Sequence, residues 1–234
     1  MNEGIIATFR EEAARAKERF YTALELARSY GKVALSCSIY INLSIAEYSE
    51  GNFDRAAEVG KIGLDIASST RHRRTLHISL NNQSKFLCLA GDLAGARLMA
   101  ERLLPLVQAA GDWSVRECVL VWVLLLASEG YHNEAAQLYG FVREAHARTG
   151  TTPALFSRVY ERIGTIFSEN LSPDEQSAHA RIGAAWTADQ ALTFALGAGR
   201  TRAPGHEPSN FGEPAPSERV GRRSADLDRS SSLH

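Results

Sequence analysis

The chain has 234 residues and a formal net charge of −1, with 44% hydrophobic and 23% charged residues. That is an ordinary globular composition, long enough for a real core, and so balanced a charge excludes a global pull toward nucleic acid or anionic lipid. The longest apolar run, Cys118 to Ala127, is about half of what a bilayer span needs and predicts a fully buried helix instead.

The opening stretch "MNEGIIATFREE" has no apolar segment of the signal-peptide kind, so a secretory leader is not expected. Cys37, Cys88 and Cys118 are odd in number and lie among apolar residues, which fits reduced thiols and a cytoplasmic location. Residues 10–30 form the first expected helix, with an apolar stripe of Phe20, Leu24 and Ala27. Residues 15–29, "RAKERFYTALELARS", match 55–69, "RAAEVGKIGLDIASS", at Arg15/Arg55, Ala16/Ala56, Glu18/Glu58, Leu24/Leu64, Ala27/Ala67 and Ser29/Ser69. The first unit therefore contains a second helix without its partner. Its stripe is expected either to be capped by polar substitution or to dock on another copy or another chain, a possible homodimer through the N-terminal helix.

The next unit, about 33–70, sets the pattern. Leu35, Ile39, Leu43 and Ala46 recur at helical spacing, and Gly51 ends the helix in the left-handed conformation that glycine adopts cheaply. Asn52 stands at the start of a second helix, where it is expected to accept hydrogen bonds from free backbone N–H groups. Ala56 then falls in the first turn, small enough for close helix pairing. The motif "GNFDRA" (51–56) returns as "GDLAGA" (91–96) and "GYHNEA" (130–135), with Ala96 and Ala135 in the same place. A fixed spacing of this kind marks a helical-repeat array; further units are expected at about 72–110 and 113–149. From 151 to 197 the repeat decays into a cap. Pro153 stands near one helix start, and Ser172/Glu175 and Thr187/Gln190 have capping-box spacing. Residues 1–197 thus read as one helical-repeat domain. Residues 198–234 are rich in Pro, Gly and Ser, with six Arg against five Asp or Glu, and read as a disordered, solvated tail.

The core of the second unit, "LSIAEYSEGNFDRA" (43–56), resembles a tetratricopeptide repeat. Leu43, Tyr48, Gly51, Phe53 and Ala56 sit where that family keeps like residues. The family's later aromatic is Gly60 here, Ala100 in the next unit and Tyr139 in the third, its closing Pro is missing, and the spacing is near 40 against roughly 34. Units of this longer kind are similar to the C-terminal repeats of bacterial signal-transducing ATPases and LuxR- or AfsR-type regulators. Residues 91–112, and 134–163 followed by "AWTADQALTFAL" (185–196), carry that likeness. The resemblance implies an all-α superhelix whose concave groove binds a protein or peptide partner, or an effector, in bacterial signalling or transcriptional control. The ATPase of such proteins lies upstream of the repeats, and no G-x-x-x-x-G-K-[ST] occurs here. The chain then reads as a detached sensor or scaffold part, or as a truncated relative that acts by self-association.

No H-E-x-x-H, no cysteine pair at ligand spacing and no G-x-S-x-G occur, so neither metal, cofactor nor catalysis is expected. Two features remain as candidate partner-binding residues. "STRHRRTLHIS" (69–79) gathers Arg71, His72, Arg73, Arg74 and His77 at a hairpin junction. Arg forks suit carboxylate or phosphate, and the alternative is a solvated helix start. Asn42 and Asn82 each stand nine residues before a repeat glycine, with Asn81 and Lys85 on the face of Asn82. The resemblance implies groove-facing carboxamides there, able to donate to and accept from an extended peptide backbone, with the Arg cluster at the rim attracting an acidic partner. Val121 replaces the Asn in the third unit. The other reading of Asn42 and Asn82 is local capping or bridging between adjacent helices.

Overall fold

The computed structural model describes residues 13–70, 72–107, 112–149 and 156–198. The N-terminal twelve residues, Arg71, the Pro153 segment and the tail beyond 198 lie outside them, so the expected tail disorder falls there. Every described element is an α-helix, and no strand occurs among the described residues. In chain order they are α1 (Ala13–Ser29), α2 (Val33–Glu50), α3 (Phe53–Ser69), α4 (Arg73–Ala90), α5 (Leu93–Val107), α6 (Asp112–Ser128), α7 (His132–Thr149), α8 (Ser157–Asn170), α9 (Pro173–Ala184) and α10 (Ala188–Gly197).

The recurrent glycine explains the helix pairs. Gly51, Gly91 and Gly130 adopt φ of 86°, 92° and 89°. At each turn the glycine N–H donates three residues back, to Tyr48, Cys88 and Ala127, at 3.0, 3.2 and 3.2 Å. The next N–H donates five residues back, to Glu47, Leu87 and Leu126, at 3.0, 2.9 and 2.9 Å. Such a turn satisfies otherwise orphaned carbonyls and reverses the chain within two residues. It produces the hairpins α2–α3, α4–α5 and α6–α7. Ala56, Ala96 and Ala135 are fully buried at the start of the second helix of each pair. The Ser84 hydroxyl donates to the Ala96 carbonyl at 2.8 Å and ties α4 to α5.

The starts of the second helices differ from the expected pattern. Asp92 Oδ1 accepts from the Gly95 N–H at 2.8 Å, as a cap should. Asn52 does not cap. Its amide donates to Glu47 Oε2 at 2.9 Å and Glu50 Oε2 at 3.0 Å. The carboxylates five and two residues back hold the side chain by its amide nitrogen, and Lys17 of α1 joins them at 3.3 and 2.6 Å.

The apolar stripe of α1 is not open. Phe20, Leu24 and Ala27 are buried with Ile39, Tyr40, Leu43 and Val59, because α2 covers the face that the sequence left without a partner. The apolar run of α6 is buried on all sides from Cys118 to Ala127, as its composition predicts. It packs against α4, α5, α7, α8 and α10, at the centre of the largest apolar cluster. Both expected capping boxes are present, at Ser172/Glu175 and Thr187/Gln190. The close pair α7–α9 depends on two glycines: a Cβ at Gly140 would collide with the Ala180 carbonyl, and one at Gly183 with that of Gln137. Among the described residues no helix is long and apolar enough to cross a membrane.

Candidate functional site

The first helices of the pairs lie side by side, α2 against α4 and α4 against α6. The candidate residues lie on α2 and along α4. Arg73 and Arg74 are exposed at the start of α4, and His72 immediately precedes them, also exposed. Arg71 lies outside the described residues. His77, one turn into the helix, is buried, and burial lowers the pKa of its imidazole. One to two turns further on, Asn81, Asn82 and Lys85 are buried too. Asn42 on α2 is half-buried, and Val121 of α6 is fully buried in apolar surroundings. The basic cluster of the sequence therefore divides into an exposed rim at the helix start and a buried polar patch below it.

The patch is larger than the sequence indicated. Asn81 Nδ2 reaches Glu117 Oε2 of α6 at 3.4 Å. Glu117 also faces Lys85, and each group alters the other. Burial pushes the Lys85 ammonium down to about 8, against the pull of the Glu117 carboxylate. Burial raises Glu117, against Lys85 and Arg116. Next to this pair stand His146 of α7 and Tyr160 of α8, joined at 2.8 Å between the phenol oxygen and Nδ1. Burial lowers His146, helped by the Arg116 charge, and burial with the neighbouring Tyr139 raises Tyr160. Both shifts favour the neutral forms of the imidazole and the phenol.

Helix α8 closes the patch. Phe156, the residue just before its first turn, lies under Lys85, with Nζ 4.4 Å from the ring centroid. The backbone amides of Arg158 and Val159 face the Tyr48 hydroxyl of α2, and Arg158 Nη2 reaches the Ser49 carbonyl at 3.4 Å. Farther along, Phe167 meets Tyr139 edge-on, with ring centroids 5.6 Å apart.

Several polar atoms here have unused hydrogen-bonding capacity. Ser79 Oγ, Asn81 Oδ1 and Asn82 Nδ2 are buried without a partner among the described residues. Buried polar groups are nearly always paired, and each exception calls for a reason. Sequence reasoning reached Asn81, Asn82 and Lys85 but missed Glu117, Arg116, His146, Tyr160 and Phe156. One signal was available: Glu117 directly precedes the apolar run Cys118 to Ala127, a position where a carboxylate needs a buried partner. Nothing local marked the α8 residues.

Two clefts lie elsewhere. One, of about 440 Å³, is bounded by Tyr21, Arg28, Tyr40, Arg55 and Ile62 between α1 and the α2–α3 pair. The other, of about 350 Å³, adjoins it near Val33 and Ile66. Among the described residues no group of three His, Cys, Asp or Glu is placed to hold a metal. Comparison with protein-family models, with curated proteins and with solved structures returns no match in any of the three.

Proposed function

We propose that the chain is a non-enzymatic, tetratricopeptide-like module whose paired helices stack as a right-handed superhelix and bind a protein or peptide partner on the inner face of α2, α4 and α6. The observation that carries this reading is the set of buried polar atoms without partners, Ser79 Oγ, Asn81 Oδ1 and Asn82 Nδ2, beside Lys85 on the inner side of α4. A face that serves only packing is cheaper when apolar, because each unpaired buried group costs about 1–3 kcal/mol. A face that hydrogen-bonds a partner keeps such groups. Arg73 and Arg74 at its rim suit an acidic flank of that partner. A role in bacterial signalling or transcriptional regulation follows from the resemblance of the repeats.

The test uses the full chain as bait and then the purified partner. Calorimetry should show binding to wild type and at least a tenfold loss with Asn82→Ala, with circular dichroism unchanged. Undiminished binding by a folded Asn42→Ala/Asn82→Ala variant removes the face from consideration.

Self-association is a second reading, and one observation favours it. Tyr21, Leu26, Tyr30, Val33, Leu35 and Ile62 are exposed, all on α1–α3 or the α1–α2 turn. Light scattering on the full chain, with Tyr30→Ser as control, separates the two: a dimer that dissolves in the variant supports self-association, and a monomer at every concentration rejects it.

A further inference from the structure

The inner face of this chain is already occupied, by the chain itself. Helix α8 has 14 residues, about 20 Å of axis. Neighbouring packed helices lie roughly 8–10 Å apart, so that length suffices to cross α2, α4 and α6. Its N-terminal end reaches α2 and α4, and its body lies on α6 and α7. Arg158 and Val159 meet Tyr48 and Ser49 of α2. Phe156 takes Lys85 of α4 on its ring. Tyr160 binds His146 of α7, and Phe167 meets Tyr139. The helix also packs along α6.

The manner of docking resembles ligand binding more than a further repeat. Helix α8 is sharply two-faced: Phe156, Val159, Ile163, Ile166 and Phe167 are buried, and Glu161, Arg162, Thr165, Ser168 and Glu169 are exposed. An amphipathic helix laid in a groove anchors itself through this i, i+3, i+7 spacing. The helix that follows it, α9, packs chiefly on α7, through Gly140 and Gly183, and so does not hold α8 as a hairpin partner would.

From this geometry we infer that the inner face recognises an amphipathic helix laid across α2, α4 and α6, and that α8 is an internal copy of that ligand which a partner helix displaces. The inference rests on the groove reading above but changes its ligand from an extended peptide to a helix. The chemistry of the partner follows from what α8 supplies. An aromatic ring sits against Lys85. A basic side chain two residues later meets the carbonyl end of α2, where a cation is favoured. Aliphatic residues at the third, seventh and tenth positions after the aromatic, and an aromatic at the eleventh, fill the apolar seam.

The probe is a fluorescein-labelled peptide of residues 156–170, FSRVYERIGTIFSEN, titrated against the full chain by anisotropy. Wild type should bind it weakly, because the site is filled. A Val159→Ala chain loosens the internal copy and should bind at least tenfold tighter. The peptide carrying Val159→Asp should not bind either chain. A folded Val159→Ala chain that binds no better than wild type overturns the inference. Hydrogen exchange on wild type supplies a readout that needs no variant: amides of α8 should exchange at least tenfold faster than those of α6, and equal protection also overturns it. The two readings separate in competition. If a partner bound at Asn82 is not displaced by the peptide, the helix inference fails while the groove stands. If the peptide binds as expected but partner affinity ignores Asn82 and Lys85, the groove reading fails instead.

Discussion

Arg97 of α5 forks onto Glu129 at the end of α6, with Nε 3.0 Å from Oε1 and Nη2 on Oε2. The guanidinium also lies over the Trp122 ring, 5.3 Å from its centroid. The pair joins the α4–α5 unit to the α6–α7 unit, and both side chains are largely sheltered from solvent. A bidentate, partly desolvated pair outranks the exposed Arg55–Glu58 and Lys61–Asp65 pairs, which are open to solvent. Arg97→Ala should therefore lower stability by about 1–3 kcal/mol. Arg97→Lys keeps the charge but loses the fork and the stacking, and should recover less than half of that. Chemical denaturation of the three proteins decides it; an Arg97→Ala curve that overlays wild type refutes it.

The approach of α7 to α9 has no room for a side chain. Gly140→Ala and Gly183→Ala each drive a Cβ into the backbone of the facing helix, which cannot give as a side-chain end would. Each should cost about 1–3 kcal/mol or more. Gly164, exposed within α8 with open space around it, is the control. Gly164→Ala should stabilise by about 0.5–1 kcal/mol, because alanine is the better helix former. The signs should differ in thermal melts, and like signs would contradict the packing described.

What the sequence made legible follows from how local each signal is. The turns at Gly51, Gly91 and Gly130 were readable because a left-handed glycine is required by backbone sterics within a few residues. The burial of α6 was readable from apolar residues on every face. The capping boxes at Ser172 and Thr187 are likewise local. Asn52 was misjudged because its side chain answers to Glu47 and Glu50 of the preceding helix, outside the capping motif. The stripe of Phe20, Leu24 and Ala27 was misjudged because its cover, α2, follows it in the chain rather than precedes it. The candidate site was half legible. Asn81, Asn82 and Lys85 share one helix, so spacing reveals them. Their partners come from α6, α7 and α8, and only tertiary packing brings Glu117, His146 and Phe156 to them.

The three thiols give a chemical test. Cys37, Cys88 and Cys118 are buried and free. Burial raises all three, Cys88 to about 11 and Cys118 to about 12. The thiolate is the reactive form, so none should alkylate readily at neutral pH. Iodoacetamide at pH 7.5 should leave the native chain unmodified by mass spectrometry for hours, and should modify all three in guanidinium. Rapid native labelling of Cys118 would mean that the α6 core opens far more often than its packing indicates.

The last expectation concerns Lys85 and alkaline pH. Its folded pKa, about 8, lies below the ordinary lysine value of 10.5. Between those values the unfolded chain holds a proton that the folded chain has released, so this group makes stability rise with pH from about 8 to 10.5. The thiols act oppositely. Their folded pKa values are raised, so the unfolded chain loses those protons first and stability falls as pH climbs above about 9. The net curve mixes the two, and a difference experiment isolates the lysine. Lys85→Met removes the titrating group; pairing it with Glu117→Gln avoids leaving a lone buried carboxylate. Stability measured by guanidinium denaturation at pH 7, 8, 9 and 10 should rise for wild type relative to the double variant, by about 1–3 kcal/mol over that range. Parallel profiles would mean that Lys85 keeps its ordinary pKa in the folded chain, and hence that water reaches the inner face beneath α8.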